Sequence, residues 1–442
     1  ACREASVEVE ALLYCPDYRV RNPGTAGIDP ARIIDAPRRE ALLPTIRAIL
    51  PEANDPGTGN DPAVHRFLAD LLELVADVTA VVGEAEALTT RLSGGLADWA
   101  RRIECRPQRL RVTGTAGSGK TQLALAVYRD AVNAGRRPLY VCYNRPLAEH
   151  IRAIVPAGGE VASYHQLADQ ISRRLGQTPD FSQAGAFAAL EAVLDRYQPD
   201  HDQRFDVLIV DEGQDFKPDW CANLLRLLHA DGSAWWLEDP MQNLYGRAPV
   251  PLADWVHLRA DTNYRSPQDI VDALNRLLPF AKPLESGCPI AESGIDVLSY
   301  RDADELLTRT VGAVTRAIGA GFRRQQIAIV TYRGREHSAF TGRTRIGPYP
   351  LIAPTGEYDL FGNPVLTSGD VIIDSVHRFK GRAAACVILT EIDFAELDEQ
   401  ATRKLFVGAT RARLKLILVI AEASENLLKS RLDDAIQQAE AT

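Results

Sequence analysis

The chain has 442 residues, of which 46% are hydrophobic and 25% are charged, and its formal net charge is −9. These values are typical of a soluble globular protein of two or three domains, and no apolar run approaches the length of a membrane span. The acidic balance excludes a protein that coats nucleic acid by bulk electrostatics, because counterion release needs clustered Lys and Arg. Any nucleic-acid groove is therefore expected to be local.

The cysteine pattern and the N-terminal sequence indicate the cellular compartment in which the protein is expected. Seven cysteines are scattered through the chain without a CxxC pair, which disfavours a zinc site or an iron–sulfur cluster. No basic segment followed by an apolar leader and a cleavage site opens the sequence. We therefore expect a reduced cytoplasm and no membrane partner. The only methionine is Met241, which is compatible with a fragment or a processed chain.

The first hundred residues differ from the rest. Several Pro and Gly residues lie between Pro16 and Pro62, and an amphipathic stretch runs from about Val64 to Leu96. No pattern of side chains there indicates chemistry. We predict a mixed N-terminal segment of unknown role over residues 1–95.

From Leu110 onward, short apolar runs alternate with helix-length amphipathic segments, the pattern of βα units around a parallel sheet. Few apolar residues and a Ser-Pro turn signal near Asp261 separate the runs into two sets. The sequence therefore predicts two α/β lobes, over residues 96–260 and 261–442. Their core strands are predicted at residues 109–114, 138–143, 205–212 and 234–239, and at 295–300, 326–332, 370–375, 386–392 and 414–420. Residues 338–368, rich in Gly, Pro, Thr and Tyr, are predicted to form hairpins or loops inserted in the second lobe.

The string GTAGSGKT, residues 114–121, directly follows the first predicted strand and directly precedes a helix-length segment. This context predicts a P-loop, in which glycines let backbone N–H groups close around the β- and γ-phosphates. Lys120 supplies a positive charge, and the Thr121 hydroxyl can hold Mg²⁺. The predicted nucleotide ligands are Gly114, Gly117, Ser118, Gly119, Lys120 and Thr121.

Two carboxylates, Asp211 and Glu212, directly follow the buried run VLIV. Open α/β sheets bind their ligands at this end of their strands. We assign Asp211 to Mg²⁺ and Glu212 to polarising the attacking water, because hydrolysis needs a positioned nucleophile as well as charge neutralisation.

The string DEGQD, residues 211–215, resembles motif II of the UvrD/Rep-like superfamily 1 helicases more closely than the acidic motif of most other P-loop ATPases. Further strings resemble the remaining motifs in order: YNRPLA (143–148, motif Ia), SYHQLA (163–168, Ic), DPMQNLY (239–245, III), NYRSP (263–267, IV), SVHRFKG (375–381, V) and FVGATRAR (406–413, VI). The resemblance covers residues 109–420. It implies two RecA-like P-loop lobes with parallel sheets and ATP hydrolysis with Mg²⁺.

The resemblance also implies roles for single residues. Gln242 would sense the γ-phosphate, Tyr264 would stack on the base, and Gly381 would border the nucleotide. Arg265 and Arg411 would reach across the cleft from the second lobe, where an arginine finger stabilises charge on the transferring phosphoryl group. With Lys120 and Glu212, these side chains form the implied catalytic set.

For single-stranded DNA, the resemblance implies a mixture of hydrogen-bonding, aromatic and basic side chains: Asn144, Ser163, Tyr164, His165, Tyr245, His377 and Lys380. Such a mixture suits tracking without sequence preference. For His165 and His377 taken singly, a buried structural histidine is an equal alternative.

Two departures concern the nucleoside. Family members carry a glutamine upstream of the P-loop that reads adenine, but residues 92–106 contain none and Gln108 lies too close. Ala383 stands where an acid usually contacts the ribose. Preference for ATP over GTP therefore rests on the resemblance.

We expect a nucleic-acid-stimulated ATPase that translocates on single-stranded DNA, and the resemblance implies movement from 3′ to 5′. The short spacing within each lobe leaves little room for accessory insertions. The first hundred residues or a preceding domain would then supply a separating element or a nuclease partner, and a protein partner is a further expectation. One alternative is a nucleotide-dependent switch that regulates a partner protein without productive unwinding. Another, an unrelated P-loop enzyme such as a kinase, is disfavoured by the ordered NYRS and TRAR strings.

Overall fold

The computed structural model describes residues 12–16, 18–20, 29–49, 78–181, 183, 185–291, 294–358 and 364–440. The chain divides into two compact units, Ala1–Ala76 and Asp77–Thr442. In the first unit, strands β1 (Leu13–Cys15) and β2 (Ile33–Asp35) pair in parallel, and helix α1 (Leu42–Ile49) follows. Residues 50–77 of the predicted N-terminal segment lie outside the described residues.

The second unit contains two α/β lobes. The strands of the first lobe are β3 (Arg109–Gly114), β4 (Pro138–Cys142), β5 (Glu160–Ser163), β6 (Phe205–Val210), β7 (Leu228–Glu238) and β8 (Val256–Ala260). They form one parallel sheet in the order β5-β4-β6-β7-β3-β8. Its helices are α2 (Val78–Ala100), α3 (Lys120–Asn133), α4 (Arg145–Ile154), α5 (Tyr164–Arg174), α6 (Ala186–Arg196) and α7 (Pro218–Arg226).

Both faces of the first sheet are covered, which explains why its central strands read as unbroken apolar runs. Alternate residues of β4 and β6 enter different clusters. Leu139 and Leu208 pack on one face, and Tyr140 and Ile209 pack on the other. The carboxyl ends of these strands therefore remain the open edge at which a ligand can bind.

The second lobe begins with a short parallel pair, β9 (Thr262–Asn263) and β10 (Glu285–Ser286). Its main strands are β11 (Ile295–Tyr300), β12 (Ile327–Thr331), β13 (Arg345–Ile346), β14 (Tyr349–Ile352), β17 (Val371–Ser375), β18 (Ala384–Ile392) and β19 (Ala412–Ala421), and a hairpin contains β15 (Pro354–Tyr358) and β16 (Pro364–Leu366). The sheet order is β11-β19-β18-β12-β17-β14-β13, parallel except between β13 and β14. The helices are α8 (Gln268–Leu277), α9 (Ala303–Gly319), α10 (Val376–Phe379), α11 (Glu399–Ala409) and α12 (Glu422–Glu440).

The predicted fold class is confirmed: two lobes, each with a large parallel sheet, follow one another along the chain. Among the helices of the described residues, none combines the length and the apolar character that crossing a membrane would require.

Helix α2 packs into the cores of both lobes. Near its C-terminal end, Leu96 and Ala100 lie in the core of the first lobe. Near its N-terminal end, Val82 and Ala85 lie in the core of the second lobe. With 23 residues, the helix is about 35 Å long, enough to connect the two. The predicted segment boundary at residue 95 falls inside this helix.

Candidate nucleotide site and aromatic cluster

The loop between β3 and α3 is closed tightly around two glycines. Gly117 has a φ of +73°, and a Cβ there would lie 2.6 Å from the Cβ of Arg265. Gly119 has a φ of +97°, and a Cβ there would collide with the carbonyl oxygen of Ser93. Because α3 starts at Lys120, the N-terminus of this helix and the loop N–H groups form an anion site of the P-loop kind.

Lys120 is buried at the base of this loop. Its Nζ donates hydrogen bonds of 2.8 Å each to the carbonyl oxygens of Gly114 and Thr115. Burial lowers the pKa of Lys120, while Asp239 and Glu212 oppose that shift. The ammonium is therefore held at the P-loop, where it could bind a polyphosphate, and carboxylates lie close to it.

Thr121 and Asp211 lie together, as their predicted roles require. The Thr121 hydroxyl donates to Oδ2 of Asp211 at 3.3 Å, and the Tyr140 hydroxyl donates to the same oxygen at 2.9 Å. Burial, reinforced by Glu212, raises the pKa of Asp211. A hydroxyl and a carboxylate in contact fit the oxygen ligands that Mg²⁺ prefers, and a bound cation would favour the ionised acid.

Glu212 adopts a left-handed backbone with a φ of 57°, a conformation that is costly for a residue other than Gly and is concentrated at functional sites. Its Oε2 accepts a 2.6 Å hydrogen bond from Nε2 of Gln214 and lies 3.3 Å from Nζ of Lys380. Burial acts to raise the pKa of Glu212, but Lys380 and Lys120 outweigh it and the pKa is lowered. The carboxylate is therefore ionised and able to orient a water.

A chain of hydrogen bonds leads from Glu212 to the second lobe. Besides its bond to Glu212, Gln214 accepts a 2.8 Å bond from the backbone N–H of Asp239. The carboxylate of Asp239 accepts a 2.6 Å bond from Nε2 of Gln242, whose Oε1 accepts a 3.2 Å bond from Nη2 of Arg411. Gln242 thus lies between the two lobes at the nucleotide pocket.

Three arginines converge on the same pocket: Arg265, Arg411 and Arg413. The backbone N–H of Arg265 donates to Oδ1 of the buried Asn263 at 2.8 Å, and this bond fixes the backbone position of Arg265. Burial lowers the pKa of Arg265 to about 9, and the charges of Arg411 and Arg413 act in the same direction. These guanidinium groups repel one another, and a bound polyanion would relieve that repulsion by forming hydrogen bonds and ion pairs with them.

Most predicted nucleotide residues line this one pocket: Gly117, Ser118, Gly119, Lys120, Thr121, Glu212, Gln242, Arg265, Gly381 and Arg411. Gly114 and Tyr264 lie beside it. The N–H of Tyr264 donates to the carbonyl oxygen of Gly117 at 3.3 Å, and its ring packs against Gly287, where a Cβ would lie 2.5 Å from Cε1. The sequence did not predict five other lining residues, namely Thr89, Thr90, Ser93, Gln122 and Arg413.

A second feature is an aromatic cluster, which we define by the rings of Tyr143, His165, Trp220, Tyr245 and His377 together with the guanidinium of Arg247. Ring centroids are 5.0 Å apart for Tyr143 and Tyr245, and 5.8 Å apart for Tyr245 and His377. The Arg247 guanidinium carbon lies 4.3 Å from the Tyr143 ring centroid and 4.7 Å from that of Trp220. Because His377 belongs to the second lobe, the cluster also draws on both lobes.

Two of the residues predicted to contact DNA lie beneath this cluster. Tyr164 is fully buried, stacks on Trp220 with centroids 4.1 Å apart, and accepts a 3.1 Å hydrogen bond from Asn223. Ser163 is buried and caps α5 by accepting a hydrogen bond from the N–H of Gln166. Both side chains support the first lobe from within.

Two others contact the opposite lobe. The side-chain amide of Asn144 donates to the carbonyl oxygens of His377, Arg378 and Lys380 at 3.5, 3.2 and 3.1 Å. Lys380 is 1% exposed, and its Nζ lies 2.6 Å from Oδ2 of Asp215. The polar atoms of both side chains are thus engaged by protein groups, at the junction of the two lobes.

The two cluster histidines are neutral near pH 7. Burial lowers the pKa of His165, against the effect of its 3.4 Å contact with Glu191. Burial lowers the pKa of His377 to about 4, and Lys404 and Lys380 act in the same direction. Both rings therefore offer stacking and hydrogen bonding rather than positive charge.

The fold and the P-loop define a class of protein, the two-lobed RecA-like P-loop NTPases, and residues of both lobes line the candidate nucleotide pocket. Two family models match the chain accordingly. Residues 100–248 match an AAA domain, and residues 370–419 match a UvrD-like helicase C-terminal domain. These matches confirm the resemblance to the UvrD/Rep-like superfamily 1 helicases and support an ATP-dependent function of that family. No curated protein matches the chain.

Proposed function

We propose that this protein is a nucleic-acid-stimulated ATPase that translocates on single-stranded DNA from 3′ to 5′, with ATP as substrate and Mg²⁺ as cofactor. One observation carries the proposal. The nucleotide pocket and the aromatic cluster each combine residues of both lobes. Lys380 lies at the junction of the two lobes, with its Nζ 3.3 Å from Oε2 of Glu212. A movement of the lobes would therefore change both sites together.

In the proposed hydrolysis, the P-loop N–H groups and Lys120 hold the β- and γ-phosphates. Thr121 and Asp211 would hold Mg²⁺, which would supply positive charge to offset that of the phosphates. Glu212 orients the attacking water and accepts its proton. Arg265 and Arg411 stabilise the charge that develops on the transferring group, a contribution on the order of 10³–10⁵ in rate for an arginine finger.

In the proposed tracking, bases stack on the exposed part of the aromatic cluster, where Tyr245 is 39% exposed. Stacking contributes roughly 1–3 kcal/mol per base without reading its identity. Arg247, packed against three of the rings, can pair with a backbone phosphate. The site would thus bind single strands locally, in a protein whose net charge is acidic.

Steady-state ATP hydrolysis with and without single-stranded DNA at low salt tests the central claim. We expect stimulation by DNA in the wild type and no hydrolysis in Lys120→Ala. A folded wild type that hydrolyses ATP at a rate indifferent to DNA would contradict translocation and would favour the nucleotide-dependent switch.

Direction is tested by displacement of streptavidin from biotinylated single strands. We expect displacement from the 5′ end, which a motor moving 3′ to 5′ reaches, and not from the 3′ end. Displacement from the 3′ end alone would reverse the proposed polarity. On tailed duplexes, ATP hydrolysis without strand separation is expected, because the lobes lack large insertions.

A further inference from the structure

A cavity of about 660 Å³, which we call the edge cavity, opens in the first lobe between the C-terminal ends of α4 and α5, residues 155–159 and the start of β5. Strand β5 lies at the edge of the first sheet, and its first residue, Glu160, lines the cavity. The edge cavity is therefore at the amino end of this strand, whereas the P-loop and the aromatic cluster are built at the carboxyl ends of the strands. It is a separate site.

The charged side chains of the described residues that line the edge cavity are three arginines and one glutamate: Arg152, Arg173, Arg174 and Glu160. Nε and Nη2 of Arg152 donate to one carbonyl oxygen of β5 at 3.2 and 2.7 Å. Nε of Arg173 donates to Asp169 at 2.9 Å, and Nη2 of Arg174 lies 3.5 Å from Oε2 of Glu160. Because a guanidinium has five N–H donors, these bonds leave donors on each arginine for a ligand that carries negative charge.

Two acceptors in the walls lack a donor. Oε1 of Glu160 and Oε1 of Gln170 are buried and have no hydrogen-bond partner among the described residues. A buried acceptor without a donor is destabilising, and such groups are rare in folded proteins. A ligand that suits the edge cavity therefore carries hydrogen-bond donors as well as negative charge.

Another part of the wall is apolar and includes Val155, Pro156 and Ala157. Ile154 and Leu175, which directly adjoin lining residues in the chain, are 42% and 52% exposed. Exposed apolar area beside a concave site is typical of surfaces that bind a partner. A small anion would leave this area uncovered.

We propose that the edge cavity docks an acidic segment of a partner protein, whose carboxylates pair with the three arginines and whose apolar side chain covers residues 155–157. Backbone N–H groups of such a segment supply the donors that Glu160 and Gln170 lack. A phosphate ion or a DNA backbone offers neither those donors nor an apolar group. Because the chain has a net charge of −9, an acidic segment is attracted locally by the arginines but not by the protein as a whole, which favours this one site. Docking here requires neither the nucleotide pocket nor the aromatic cluster.

Fluorescence anisotropy at low salt tests the docking, with a short labelled peptide of aspartates that flank a leucine and a phenylalanine as the probe. We expect Arg173→Gln/Arg174→Gln to raise the Kd for this peptide about tenfold, because charge-assisted hydrogen bonds are lost. Ala157→Glu, which adds a carboxylate to the cavity wall and keeps every arginine, should also weaken binding. The matched control is Arg309→Gln/Arg316→Gln, which removes two partly exposed arginines of α9, each beside an acidic side chain, and should leave the Kd unchanged.

Further probes separate the possible occupants. The same peptide with serines in place of its apolar residues should bind more weakly. At constant ionic strength, neither inorganic phosphate nor a thymidine oligonucleotide should displace the labelled peptide. Displacement by either would assign the edge cavity to phosphate groups and overturn the proposal. Failure of the wild type to bind the peptide, or equal binding by the wild type and Arg173→Gln/Arg174→Gln, would overturn it as well.

Discussion

At the scale of single residues, the buried Lys380 is expected to contribute to stability, because its ammonium lies close to both Asp215 and Glu212 of the opposite lobe. Removing one member of a buried ion pair leaves an uncompensated charge and costs about 3–5 kcal/mol. We expect Lys380→Met to lower the free energy of unfolding by that amount, measured by urea denaturation. The variant should also hydrolyse ATP more slowly, since Glu212 loses a partner that holds it.

Two comparisons isolate this effect. Adding Asp215→Asn to Lys380→Met removes the carboxylate that has lost its partner, so the double variant should recover part of the stability. Lys429→Met removes an exposed lysine, 64% accessible and 2.7 Å from Glu425, and should cost less than about 1 kcal/mol. Equal losses in Lys380→Met and Lys429→Met would contradict the importance of the buried pair.

His377 makes stability depend on pH. Its pKa is lowered to about 4 by burial and by Lys404 and Lys380, against an ordinary value of about 6.5 in the unfolded chain. Between these values the unfolded chain binds more protons, so the folded state loses stability as the pH falls through this window. The full effect is up to about 3 kcal/mol.

We therefore expect His377→Gln to unfold with a shallower dependence on pH between about 6.5 and 4 than the wild type, measured by thermal and urea unfolding. His150→Gln, which removes an exposed histidine, is the control and should retain the slope of the wild type. His165 acts in the same direction as His377, so part of the slope should remain.

At the scale of elements, the P-loop depends on backbone space as much as on its charges. Gly117 and Gly135 have similar positive φ values of +73° and +68°, but a Cβ at Gly135 meets nothing within 4 Å, whereas one at Gly117 would strike Arg265 and Asn263. We expect Gly117→Ala to lower kcat by about 10²-fold, because it displaces an arginine aimed at the pocket. Gly135→Ala carries the same backbone strain and should leave kcat unchanged; equal effects would indicate strain alone.

The sequence predicted the elements with buried, unbroken apolar runs best. The predicted strand 295–300 coincides with β11, and 205–212 contains all of β6. The strands β5 and β8 were not predicted, because they lie at the two edges of their sheet and are short or partly exposed. Their pairing depends on neighbours that are distant in the chain.

At the scale of the whole molecule, hydrogen bonds between side chains and backbone carbonyl oxygens join the lobes, alongside the ion pairs of Lys380 and the packing of α2. Asn144 supplies bonds to three carbonyl oxygens of the opposite lobe, so Asn144→Ala should favour opening. We expect faster amide hydrogen exchange at residues 144–148 and 376–381 in the absence of nucleotide. Asn275→Ala, which removes bonds to Leu284 within one lobe, should speed exchange only near residue 284. Unchanged exchange at 376–381 would show that the lobes are held by other contacts.

The parts of the candidate site that could be predicted are those whose functional side chains lie within one short sequence motif. The P-loop and the DEGQD string lie together as expected, and the arginines of two later strings reach the same pocket. Trp220, Arg247 and the pocket residues of α2 were missed, because each becomes part of a site only through packing between segments far apart in sequence. The amphipathic stretch noted from about Val64 to Leu96 overlaps α2, but no motif in it indicated that the helix reaches the pocket.

The position of α2 also limits how the protein can be divided. A fragment that begins at Asp261 would contain the whole second sheet but would lack Val82 and Ala85, which complete its core. That fragment would expose an apolar strip and be prone to self-association, whereas the same lobe supplied with a peptide spanning α2 should regain its solubility. Dividing the chain into separately expressed lobes would therefore require this one helix in both fragments.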